Sequence, residues 1–195
     1  MTPRQVERVQ KQIASIKRVL AAEKKEWGCY DDSRGRRYIP LGLYVKIQDY
    51  KGGLNYTRWF YKNFPNDCCF PEFLFEWTLI LFKSGKLKEA EKMAFKTYCS
   101  NIYLFDTYFG RPIGCKEENE YVSPESPEYL KHFTYSCEQE EMADLSDWLK
   151  QFTGEEKFLR LSSNFNNIQT RLKTEKDRET RGYLLEQSRK LEKEF

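Results

Sequence analysis

The chain has 195 residues, 39% of them apolar and 32% charged, with only 10 glycines and 7 prolines; this is enough for one domain with a real core and too few turn formers for a sheet sandwich. A formal charge of +3, from 33 basic and 30 acidic residues, is too balanced to demand nucleic acid or an anionic membrane as partner. Six cysteines without a C-x-x-C pair, beside a single histidine, argue against a zinc site, and no apolar run reaches the length that spans a bilayer.

Thr2-Pro3-Arg4-Gln5 predicts a helix start, with Thr2 as N-cap, proline at the first helical position and Gln5 reaching back. Val6, Val9, Ile13, Ile16 and Leu20 then recur at steps of three and four, giving a narrow apolar stripe on an amphipathic helix over residues 1–27. Charged residues interrupt this segment throughout, so it does not read as a signal peptide, and we expect a cytoplasmic protein with reduced thiols. Gly28 stops the helix as a C-terminal cap.

Residues 28–37 read as a polar connector, GCYDDSRGRR. Asp31 and Asp32 are adjacent and lack the alternating oxygen ligands of a calcium loop. Arg34, Arg36 and Arg37 offer planar donor forks for an anion or an acidic partner. The competing reading is a structural turn, in which Asp32 or Ser33 caps the next helix and the arginines pair with nearby acids.

Two helical hairpins are predicted over 38–105. Leu41, Leu43, Tyr44, Val45 and Ile47 form a short helix, a turn follows at 48–52, and Leu54–Phe64 returns, ended by Pro65-Asn66-Asp67. The scheme repeats with Phe73–Lys83, a turn at Ser84-Gly85-Lys86 and a second return from Leu87 to Tyr98. Gly53 and Ala90 occupy equivalent small-residue positions 37 residues apart, near the period of about 34 of a two-helix repeat. Beyond them lie a loop over 106–126 and a helical extension over 127–195, with one helix from His132 to Trp148, an amphipathic helix carrying Phe158, Leu161, Phe165, Ile168 and Leu172, and a last segment that is either helix or frayed tail.

In Trp77, Gly85, Ala90 and Ala94, and above all in the spacing of SGKLKEA, the second unit resembles the tetratricopeptide repeat family; the first unit matches through Asp49 to Leu54 and through Pro65. It is similar in this to small bacterial proteins of that kind without an assigned activity. Two departures stand out: Gln48 sits where the turn glycine is expected, and Ile102 replaces the terminal proline of the second unit, so the chain leaves the regular stack near Asn101. The resemblance implies an all-α fold, a short antiparallel helix-hairpin solenoid capped by the N-terminal helix and extended by the C-terminal ones.

It also implies protein or peptide binding rather than chemistry, on a concave face lined by Tyr38, Gly42, Val45, Glu72, Phe75, Leu79 and Phe82. That face lacks the lysine and asparagine array that grips a terminal carboxylate, and an amphipathic helix suits it better. The alternatives are that the C-terminal helices fill the groove, or that the Arg34, Arg36 and Arg37 stretch binds nucleic acid or an acidic partner. No nucleophile or metalloprotease motif is present, and His132 and Cys137 fall on different faces of a helix, so neither enzyme activity nor a cofactor or metal is expected. Partner identity and oligomeric state stay open.

Overall fold

The computed structural model describes residues 1–30, 34–113 and 123–195, and among these the regular structure is entirely helical. Helix α1 (Pro3–Trp27) opens on the expected capping box: Gln5 N–H donates to Thr2 Oγ1 at 3.3 Å and Thr2 N–H to Gln5 Oε1 at 2.8 Å. It closes on Gly28, whose φ of 72° lets its N–H reach the Lys24 carbonyl. Val9, Ile13 and Leu20 are buried along its stripe, and the helix lies against α2 (Ile39–Lys46). The suggested caps Asp32 and Ser33 lie outside the described residues.

Helices α2 and α3 (Tyr50–Asn63) form the first hairpin, and α4 (Pro71–Lys83) and α5 (Leu87–Ser100) the second. The repeat is closer than the sequence suggested: α3 and α5 start 37 residues apart and end 37 residues apart, as do the ends of α2 and α4. Both expected helix starts move upstream. Asp49 caps α3 by accepting from Gly52 N–H at 2.8 Å, which places Tyr50 to Gly53 in the first turn instead of a loop. Pro71 starts α4 because its missing N–H is no loss there.

At the hairpin turns Gly85 has a φ of 70°, and Gln48, its equivalent, has a φ of 56°. The position demands the left-handed region whichever residue fills it. Gly53 has the complementary task, since a Cβ there would collide with the Ile80 side chain of α4.

Helix α4 packs on both α2 and α3, and buries Phe73, Leu74, Phe75, Trp77, Leu79 and Ile80. Burying each such side chain contributes about 1.5–3 kcal/mol, so α4 is the axis of the core. The stack breaks at Asn101, which is extended; its buried amide donates to the carbonyls of Pro124 (2.8 Å) and Ser126 (3.0 Å) and anchors the chain beyond. Helix α6 (Leu104–Tyr108) occupies the start of what reads as loop in the sequence, with Leu104, Phe105 and Tyr108 buried.

The region from His132 to Trp148 is not one helix. A 3-10 turn covers Pro127–His132, residues 133–136 leave the helical path from an extended Phe133, and a second 3-10 turn at Glu140–Met142 leads into α7 (Ala143–Gly154). The reason is the i, i+2 spacing of Phe133 and Tyr135: they share a side only in an extended chain, and in the structure both rings lie on Phe75, at 5.2 and 5.3 Å between centroids. Cys137 N–H secures this strap by donating to the Tyr108 carbonyl at 3.0 Å.

Helices α7 and α8 (Glu156–Thr174) form a further pair, α7 lying on α4 and α8 on α5. Helix α9 (Arg178–Lys193) is a defined helix capped by Asp177 and folds back on α5 and α8, where Leu184 and Leu191 are buried while Leu185 stays exposed. At the end of the chain the Phe195 ring packs on Phe95 and Phe152.

Candidate binding cleft

The residues expected to line one groove meet different fates. Phe75 and Leu79 have no solvent exposure, and the two rings of the strap lie on Phe75. Phe82 is stacked on Trp148 of α7, with centroids 5.0 Å apart. The expected groove is thus filled in part by the chain's own C-terminal region, by the strap at Phe75 and by α7 at Phe82. Tyr38 is turned inward: its hydroxyl donates to Asp67 (2.7 and 2.9 Å), and its ring packs on Phe60, Phe70 and Phe73.

The three arginines are not presented together. Arg36 pairs with Glu23 at 2.8 Å and Arg37 with Asp67 at 2.9 Å, while Arg34 is exposed. Burial would raise the Asp67 carboxyl, but hydrogen bonds from Tyr38, the Cys69 N–H and Arg37 outweigh it and hold the group below its ordinary range. Two of the three arginines thus have acidic partners inside the fold.

Val45 and Glu72 remain on an open cleft of about 600 Å³ between α2, α4 and the strap. Its other wall residues include Gly42, Lys46, Tyr50, Tyr135 and Glu141, and at its back stands Glu76, which is 7% exposed. Glu76 lies one helical turn beyond Glu72 on α4, so both carboxyls point to the same side. The Tyr135 hydroxyl donates to Glu76 Oε1 at 2.8 Å. Among the described residues no donor reaches Oε2. Gly42 makes room for this carboxyl, since a Cβ there would collide with Glu76 Oε1.

Burial pushes the Glu76 carboxyl up to about 8; the Tyr135 hydrogen bond pulls the other way, and the charge of Glu72 adds to the rise. Burial and the proximity of Glu76 push Tyr135 far above the usual phenol range, so it serves as a donor throughout the accessible pH range. Glu72 is also raised by burial. With the cleft empty, then, the Glu76 carboxyl holds its proton at neutral pH, and a cation brought beside it would favour loss of that proton.

Glu76 and Tyr135 do not figure among the site residues read from sequence. The signal was present: Glu76 is the one charged residue within FLFEWTLILF, and an acid in such a run is either exposed by accident or buried for a reason. Among the described residues no three histidine, cysteine, aspartate or glutamate side chains converge as metal ligands, and no helix is long and apolar enough to cross a membrane. Fold and cleft together define an all-helical, repeat-like protein with a carboxyl-backed concave pocket. Comparison with protein-family models, with curated proteins and with solved structures returned no match.

Proposed function

We propose that the protein is a non-enzymatic interaction module, of the tetratricopeptide-like kind that its repeat resembles, which binds a peptide segment of a protein partner in the cleft between α2, α4 and the strap. The observation that carries this reading is the unequal filling of the concave face: the strap covers Phe75 and leaves Val45, Glu72 and Glu76 around an open volume of about 600 Å³. A pocket of that size is enough to enclose one or two side chains of a docked peptide. Free thiols at Cys29, Cys68, Cys69, Cys99 and Cys137 suit a reducing, cytoplasmic setting.

The test is selection of linear random peptides on the immobilised full-length protein, with counter-selection on Lys46→Trp, which adds bulk at the exposed mouth of the cleft. Peptides that bind the parent and lose at least about tenfold in affinity on the variant are expected. Failure to enrich any peptide, or binding indifferent to Lys46→Trp, would overturn the reading.

The alternative of a nucleic-acid or acidic partner on the connector rests on Arg34, since Arg36 and Arg37 have acidic partners inside the fold. A steep fall of affinity with salt would favour it.

A further inference from the structure

We propose that the cleft seats one basic side chain of the bound peptide, a lysine ammonium or an arginine guanidinium, against the carboxyl of Glu76; this rests on the interaction-module reading above. Three features of the geometry point to it. First, Glu76 is more than nine-tenths buried yet lines the open volume, with Oε1 taken by Tyr135 and Oε2 without a donor among the described residues. A buried carboxyl with one oxygen satisfied and the other facing a cavity is half of a hydrogen-bonded pair.

Second, the surrounding charge favours a cation. Glu72 and Glu141 line the same volume, as do Tyr50 and Tyr135, the latter with its hydroxyl on Glu76. The chain's own cations at the edge are Lys46 and the amino group of Met1, and neither forms an ion pair with Glu76. Third, the lining includes the apolar side chains of Ile39, Leu43, Val45 and Met142, which match the methylene stem of a long basic side chain better than a small hydrated ion. The Glu76 pocket would therefore bind by charge at its tip and by burial along its length.

Binding of this kind moves a proton. The incoming cation stabilises the carboxylate, so the proton that Glu76 holds when the cleft is empty is released to solvent as the pair forms. Affinity should then rise by about tenfold per pH unit up to the Glu76 midpoint near 8 and level off above it. The carboxyl of Glu72, itself raised by burial, and that of Glu141 face the same volume. Lysine ionises at about 10.4, so it remains charged through the window.

The experiment takes the peptides selected on the full-length protein and replaces each Lys or Arg by norleucine, which keeps the stem and removes the charge. We expect one replacement per peptide to cost at least about tenfold in affinity. The same replacement should cost nothing on Glu76→Gln, and amide shifts of Gly42 and Thr134 should report occupancy. Cleft-bound peptides without a basic residue, or with an indifferent norleucine, would overturn the inference and leave the module standing. Basic peptides that shift other parts of the protein would overturn the site. If no peptide is enriched, both readings fall. Should Glu76→Gln not fold, the pH profile of the parent protein decides: a flat profile between pH 6 and 8 overturns the proposal.

Discussion

On α4, neighbouring residues meet two fates. Phe75, under the strap, and Leu79 are fully buried, whereas Glu72 and Glu76, on the adjoining stripe, face an open cleft. Both sets belong to the first helix of the second hairpin, and both would line a concave face in a bare stack of hairpins. The difference comes from outside the repeat, from a short strap whose two rings reach Phe75 and whose Tyr135 hydroxyl stops at Glu76. A repeat therefore supplies a surface, and what the rest of the chain lays across it decides which part becomes core and which part remains available.

The largest expected effect breaks the sealed side. Phe75→Ala removes the ring that Tyr108, Phe133 and Tyr135 surround and should cost about 3–5 kcal/mol of stability in chemical denaturation. A loss below about 1 kcal/mol would mean that the strap does not seal it.

On the open side the sign reverses. Glu76 has its carboxyl raised from an ordinary 4.5 to about 8, so between these values the folded state holds a proton that the unfolded chain releases. Folding stability accordingly falls as pH rises from about 4.5 to about 8. Glu76→Gln removes that titration and should stabilise the protein by roughly 4 kcal/mol at pH 8, with no gain at pH 4, as read from denaturation midpoints at the two pH values. A pH-independent difference would contradict the assignment.

Two smaller changes sharpen the comparison. Gln48→Gly places the residue suited to a φ of 56° at the first hairpin turn and should add about 1 kcal/mol, again by denaturant midpoint. The equivalent Gly85→Gln should lose a similar amount. Glu72→Gln, half-buried on the cleft wall, should change stability by less than about 0.5 kcal/mol while weakening the binding of a lysine-bearing selected peptide.

The hairpins were legible because their signals are local: the period of 37, the caps at Thr2 and Gly28, and the turn at Gly85 each need only a few neighbouring residues. The turn at Gln48 was legible from its partner alone, because glutamine itself does not announce a left-handed backbone. The strap was missed for the opposite reason. Phe133-Thr134-Tyr135 looks like helix next to the periodic residues Met142 and Leu145, and only the position of Phe75, distant in sequence, makes the extended form the better one. Glu76 gave a compositional hint, but the cleft that gives it a purpose is enclosed by α2 and the strap, and no single segment reveals it.

The strap also sets an order of events. The Tyr135 to Glu76 hydrogen bond joins residues 59 apart, whereas the turns of both hairpins close over three residues. Closing the longer loop costs more chain entropy and brings no reward until the face it covers exists. The strap is therefore expected to arrive last, so that Phe133→Ala should speed unfolding and leave the folding rate nearly unchanged. Before that arrival, Phe75 and Glu76 share one continuous trough, and the final step of folding is what partitions it into a dry interior and a receptive mouth.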